Sequence, residues 1–305
     1  MIRVGFIGRT KSLYDTIELF SQLDGFEVSF IWTSKEESYY DFSSKNFEDL
    51  ANELGTKFFN STRISEFERF VEADVVVSIN FINIIPKVFI EKFKFGVVNA
   101  HAGDLPRYRG NACPNWAILN NESEVVLSFH QMNEDLDSGD IIRKEVFQLG
   151  KDTYIGEVYD WLYRIVPSGF VESVRMLLGG YIGKKQEGKA LRTFPRKPED
   201  SRIDFENDLN YIYKLIRASS KPFSGAYAFL NNTNTKVTIF KAEPYLIDYD
   251  YLAVNGQLLE KSDFDKSFVV AINKQALKIT EYSVDGKTLD SSFKIIGKSM
   301  RNRLT

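Results

Sequence analysis

The 305-residue sequence predicts an α/β fold: a parallel sheet built from alternating strands and helices, followed by a smaller β-rich C-terminal domain. Three observations predict it. Short, mainly apolar runs at 2–7, 28–32, 74–79 and 95–100 have the look of strands buried on both faces. The stretches between them carry apolar residues at helical spacing, as at Leu13, Ile17 and Phe20. Beyond Gly179-Gly180 the composition passes through a basic stretch into strand-like segments separated by turns.

Taken in order, the first strand meets a turn at Gly8, and Thr10 is expected to cap the following helix. Further helices are expected over 46–54 and 86–93, the second opened by Pro86. A helix over 112–120 precedes strands at 125–132 and 140–147, which flank the loop 133–139. A long helix follows over 154–178, with Pro167 expected to kink or divide it. Lys184, Lys185, Lys189, Arg192, Arg196 and Lys197 mark an expected linker. The boundary is placed at 195/196, giving domains 1–195 and 196–305. The second has a short helix at 209–218 and strands at 226–230, 237–244, 268–272 and 277–284.

The bulk properties narrow the class. Apolar residues make up 43% and charged residues 27%, as in a soluble globular protein. A net charge of −3 argues against a protein that coats a polyanion, though it allows a local site for one or two phosphates. The single cysteine, Cys113, forbids an intrachain disulfide and fits a reducing compartment; it reads as a small helix-packing residue without an evident base. No apolar run has the length of a signal peptide or membrane span, so a cytoplasmic protein is expected, with no membrane partner. Gly5 and Gly8 lack the third glycine of a dinucleotide fingerprint, and no acidic residue ends the second strand. Arg9 and Lys11 in that first turn lie at the functional edge of the sheet and are expected to meet a substrate phosphate.

The informative stretch is 97–141. Asn99 and His101 lie two residues apart at the end of an apolar strand, and alternation turns them to one face. An amide beside an imidazolium suits the oxygen that turns negative when a nucleophile attacks a carbonyl. A carboxylate is then wanted to orient the imidazole and help remove a proton, and Asp137 in D-L-D-S-G is the candidate. His130, inside a strand, reads as a satisfied core residue or a support to the site. Arg107, Tyr108 and Arg109 read as a substrate wall. No His/Cys cluster suits a metal.

These residues carry a resemblance. N-x-H-x-x-x-L-P-x-x-R-G (Asn99, His101, Leu105, Pro106, Arg109, Gly110), followed by L-D-S-G-D-I from Leu136, resembles the folate-dependent formyltransferases. These include methionyl-tRNA formyltransferase, glycinamide ribonucleotide transformylase and the sugar N-formyltransferases. The resemblance implies a Rossmann-like catalytic domain and N10-formyltetrahydrofolate as formyl donor. It maps Asn99, His101 and Asp137 onto the catalytic Asn, His and Asp. It places the pterin between two loops, at Asn80, Phe81, Ile82 and Ile85 on one side and Asn133, Glu134 and Leu136 on the other, held largely by backbone groups. Ala102-Gly103-Asp104 departs from the serine-containing stretch of many members. The segment from Pro195 resembles the linker shared by the tRNA and sugar enzymes.

Three acceptor readings compete. The near-neutral C-terminal domain and the run R-G-N-A-C-P-N-W favour the amine of a UDP- or dTDP-linked amino sugar, as used in bacterial surface-polysaccharide (lipopolysaccharide O-antigen) synthesis, with no nucleic acid as partner. Methionyl-tRNA is the alternative, and a non-catalytic folate- or nucleotide-binding protein a third. The sugar enzymes also imply a homodimer.

Overall fold

The structure is a computed structural model that describes residues 1–34 and 42–305. The chain divides into two units. The first comprises Met1–Cys113, Glu124–Gln148 and Tyr159–Phe194; the second comprises Pro114–Ser123, Leu149–Val158 and Pro195–Thr305. The second unit therefore draws two short pieces from earlier in the chain as well as the C-terminal segment.

The first unit is organised by a seven-stranded sheet. Its N-terminal half comprises β1 (Ile2–Gly8), α1 (Lys11–Ser21), β2 (Phe26–Thr33), α2 (Ser44–Leu54), β3 (Lys57–Asn60), α3 (Ile64–Phe67), β4 (Val75–Ile79), α4 (Lys87–Ile90) and β5 (Val97–His101). The chain then runs through β6 (Arg109–Gly110), α5 (Cys113–Leu119), β7 (Glu124–Gln131), β8 (Ile141–Gln148), α6 (Ile155–Leu178) and β9 (Arg192–Thr193), of which α5 from Pro114 on and α6 up to Val158 are counted with the second unit. The strand order is β3-β2-β1-β4-β5-β7-β8. The first five strands run parallel, while β7 and β8 join antiparallel. One apolar layer packs Ile7, Phe30, Trp32, Val76 and Val97 with Ile85, Phe89 and Phe93 from beyond β4. Aromatic edges meet faces there, as between Trp32 and Phe89 at 6.0 Å.

Gly8 has a structural cause. Its φ is +139°, and a Cβ there would lie 1.8 Å from the carbonyl oxygen of Ile79, so β1 and β4 close up at their carboxyl ends. Thr10 precedes α1 but has φ 80° and makes no side-chain cap, contrary to expectation; its hydroxyl instead lies 3.4 Å from the Asn80 amide. Around α4 the helix is a single turn, with Pro86 extended before it. Pro167 lies within an unbroken α6. The basic stretch expected as a linker is paired to the first unit: β9 runs parallel to β6, and Lys184 exchanges two backbone hydrogen bonds of 2.8 Å with Ile141.

The second unit contains α7 (Leu209–Ser219), β10 (Ala226–Phe229), β11 (Lys236–Tyr245), β12 (Leu258–Lys261), β13 (Phe268–Ile272), β14 (Gln275–Val284) and α8 (Leu289–Ile296). The strands form an antiparallel sheet in the order β10-β11-β14-β13-β12. Asp208 caps α7 by accepting from Tyr211 N, and the helix buries Ile212, Tyr213 and Ile216.

Candidate active site

The site lies where β5 ends beside β7, at the carboxyl edge of the parallel strands, the position at which α/β sheets bind ligands. The β5–β7 register sets His130 directly opposite Asn99. His130 Nδ1 is 3.0 Å from the Gln131 carbonyl, which can only accept, so Nδ1 carries the hydrogen. The other ring nitrogen, Nε2, then accepts from Asn99 Nδ2 at 3.1 Å. Burial agrees with this neutral state by lowering the His130 pKa to about 4, and the charges on His101 and Arg109 oppose a second cation there although Asp137 favours it. The second amide hydrogen and the carbonyl oxygen of Asn99 have no protein partner among the described residues.

His101 is 8% exposed. Its Nε2 donates to the Tyr108 carbonyl at 2.6 Å, and its Nδ1 lies 3.5 Å from Asp137 Oδ2. Burial works against its charge but is outweighed by the Cys113 thiol, the Asp137 carboxylate and the Tyr108 carbonyl, which together raise the pKa to about 9. These partners favour the protonated ring. The ring is anchored more firmly by the Tyr108 carbonyl than by the acid, because 3.5 Å is long for a hydrogen bond. The Nδ1–H is thus available to a substrate oxygen entering beside Asp137.

The loops are shaped for these contacts. Tyr108 has φ 59° and is buried, which directs its carbonyl at the ring. Gly103 leaves space for it: a Cβ there would fall 2.3 Å from that carbonyl oxygen and 2.5 Å from His101 Nε2. Asp137 has φ 50°, and its Oδ2 accepts from the Gly110 amide at 2.9 Å. Its Oδ1 faces His130 Nε2 at 3.8 Å. Asn99, His101 and Asp137, chosen from sequence, are thus linked through His130 and the carboxylate. Cys113 is more than a packing residue: its Sγ lies 3.6 Å from His101 Nε2 and 3.0 Å from the Tyr108 carbonyl.

The other expected residues fall around this centre. Arg107 lies over the Tyr108 ring, 5.4 Å from its centroid. Arg109 turns to the Gln186 side chain, at 3.2 Å from Nε and 2.6 Å from Nη2. Arg9 Nε donates to the Asn80 carbonyl at 2.9 Å, and Lys11 is paired with Asp15 at 2.6 Å. Glu134 in one of the loops assigned to the pterin lies 3.7 Å from Lys87 Nζ at the start of α4, which follows the other loop. Ile82 and Leu136 expose apolar side chains there, whereas Ile85 and Phe81 join the core layer. Asn133 Oδ1 accepts from Asp135 N and Ser138 Oγ, shaping its own loop. Among the described residues, no group of three or more His, Cys, Asp or Glu is placed to hold a metal ion. No described helix is long and apolar enough to cross a membrane.

Comparison with known proteins adds independent findings. Residues 33–174 match the formyl transferase family model, and residues 196–293 match the formyl transferase C-terminal domain. A methionyl-tRNA formyltransferase of Citrifermentans bemidjiense is 33% identical over 171 residues, 55% of this chain but only 54% of that protein's length. One from Fusobacterium nucleatum is 28% identical over 264 residues, 82% of this chain and 83% of that protein. In fold, the chain resembles an N-formyltransferase of Helicobacter canadensis solved with folinic acid and dTDP-3-aminofucose. The TM-score is 0.69 at 19% identity, covering 92% of this chain and all of that one (100%).

Proposed function

The chain belongs to the formyl transferase family, and from that premise we propose that it moves a formyl group from N10-formyltetrahydrofolate to an amine, with Asn99, His101 and Asp137 as its catalytic residues. The observation that carries this reading is geometric: the His101 ring lies 3.5 Å from the Asp137 carboxylate, and Asn99 keeps an uncommitted amide hydrogen two residues away on the same strand. Two positive-end donors on one side of a cleft suit the oxyanion that forms when an amine attacks the formyl carbon. Asp137, held by the Gly110 amide, faces the same space and takes up the proton that the amine must lose. His101 keeps its proton throughout and acts by charge and hydrogen bonding. As the tetrahedral species collapses, the C–N10 bond breaks and Asp137 passes the proton it took from the amine to N10, so tetrahydrofolate leaves neutral and the carboxylate is restored. The exposed apolar side chains of Ile82 and Leu136 suit contact with the pteridine ring, and backbone groups of the 80–85 and 133–137 loops suit its polar edge.

The preferred acceptor is the amine of a UDP- or dTDP-linked amino sugar, of the kind incorporated into bacterial surface polysaccharide. Residues 203–305 hold 14 lysines and arginines against 12 aspartates and glutamates. Several of these lysines are also neutralised locally: Lys221 and Lys241 share Glu281, while Lys278 pairs with Asp265 and Glu243. Such a surface offers little of the broad positive field that grips a tRNA. Methionyl-tRNA is the second reading, favoured by the 28% identity with the Fusobacterium nucleatum protein over most of both chains. Incubation with formyl donor and either charged initiator tRNA or a panel of nucleotide-linked amino sugars, read by mass spectrometry, separates them. A formylated sugar is expected; product from the tRNA alone overturns the acceptor assignment, and no product from either overturns the transferase reading for these acceptors.

A further inference from the structure

Gln186 belongs to the basic stretch that the sequence presents as a linker, yet its amide is the most fully used side chain around Asp137. Its Oε1 accepts from both Nε and Nη2 of Arg109, at 3.2 and 2.6 Å. Its Nε2 donates to the carbonyl oxygens of Asp137 at 2.8 Å and of Gly139 at 2.9 Å. A glutamine has two amide hydrogens and two carbonyl lone pairs, and all four are spent here. The acceptors matter because Asp137 adopts φ 50°, a left-handed conformation that L side chains rarely take without outside support.

The same segment reaches Asp137 from its other side. Lys184 pairs with Ile141, just beyond the Asp137 turn, and β9 pairs with β6, whose Gly110 amide holds Asp137 Oδ2. Gln186 stands between these two anchor points. We infer that Gln186 is a positioning residue for the transfer reaction: it clamps the Asp137 turn to Arg109 and so fixes the carboxylate beside His101. The inference rests on the catalytic reading of Asp137, which it deepens.

The test separates the two. With only two histidines in the chain, 15N-histidine labelling gives two imidazoles, told apart by a His130→Gln variant. His101 is faced by Asp137, Cys113, the Tyr108 carbonyl and His130. Gln186→Ala, and Gln186→Met with its similar volume, remove the clamp but none of these groups. Expected is a fall in the His101 pKa toward 6.5 in both variants as the carboxylate withdraws, with a native spectrum elsewhere. Formyl transfer should show at least a tenfold drop in kcat and little change in either KM, and Gln186→Met should add no loss in an Asp137→Asn background. An unchanged His101 titration in folded Gln186→Met overturns the clamp whether or not an acceptor is known. Full activity in Asp137→Asn instead removes the catalytic reading and leaves the titration result standing.

Discussion

His101 carries its charge because a thiol, a carboxylate and a carbonyl outweigh the burial that opposes it. A folded pKa of about 9 lies above the ordinary 6.5, so the stabilisation from its partners is complete below 6.5 and is lost as pH rises through 9. Turnover that needs the imidazolium follows the same upper limit. Cys113→Ala removes one supporting partner, and the alkaline limb of the kcat profile should move to lower pH; an unmoved limb denies the thiol that role. Gly103→Ala places a methyl group within 2.5 Å of His101 Nε2, which must give way. Misplacing a catalytic group by about 1 Å costs about 100-fold in rate, so steady-state kinetics should show a large fall in kcat; the same methyl meets the Tyr108 carbonyl oxygen at 2.3 Å, so a lowered unfolding midpoint is expected alongside it. That Asn99 and His101 share a face was legible in the sequence from alternation, and the motif spacing singled out Asp137, which the structure sets 3.5 Å from His101. The carbonyl that anchors the imidazole and the amide that anchors the acid were not legible, because backbone groups leave no trace in side-chain pattern. His130 reads in the sequence as a satisfied core residue or a support, and its Nδ1–H to a carbonyl is what frees Nε2 to receive Asn99.

Among the elements, α6 shows how closely a helix can be set against this sheet. A Cβ on Gly169 would lie 2.2 Å from the ring of Phe129 in β7, and that ring is fully buried against Phe170. Gly169→Ala should therefore destabilise by about 1–3 kcal/mol through overpacking, despite alanine's better helix propensity; a raised unfolding midpoint in urea contradicts this packing. The long elements were foreseeable because their periodicity runs over many residues, and Pro167 lies inside an unbroken α6 next to the turn that packs Gly169 and Phe170 on Phe129. Four-residue strands such as β3 and β12 carry too few positions for a period to show. The strands β6 and β9 are two residues each and exist only through their mutual pairing, which explains why the segment around Gln186 looked like a linker.

For the molecule as a whole, the proposed choice of acceptor rests on charge. A chain of net charge −3 with locally paired lysines in its second unit should bind an acceptor bearing two phosphates with weak salt dependence. The acceptor KM is expected to change by less than about tenfold between 50 and 200 mM salt, where a protein making many phosphate contacts loses about 1,000-fold or more; a loss of the second size points back to tRNA. The α/β class, with a parallel sheet followed by an antiparallel β-rich segment, was readable from composition and strand spacing. The contribution of 114–123 and 149–158 to the second unit was not, because contacts distant in sequence set it. The most direct measurement is the single-turnover rate of formyl transfer from N10-formyltetrahydrofolate to a nucleotide-linked amino sugar in wild type, His101→Ala and Asp137→Asn, with circular dichroism as the control for folding. Losses of about 100-fold or more in both variants, with native spectra, are predicted; wild-type turnover in either one would contradict the assignment of that residue to the chemistry.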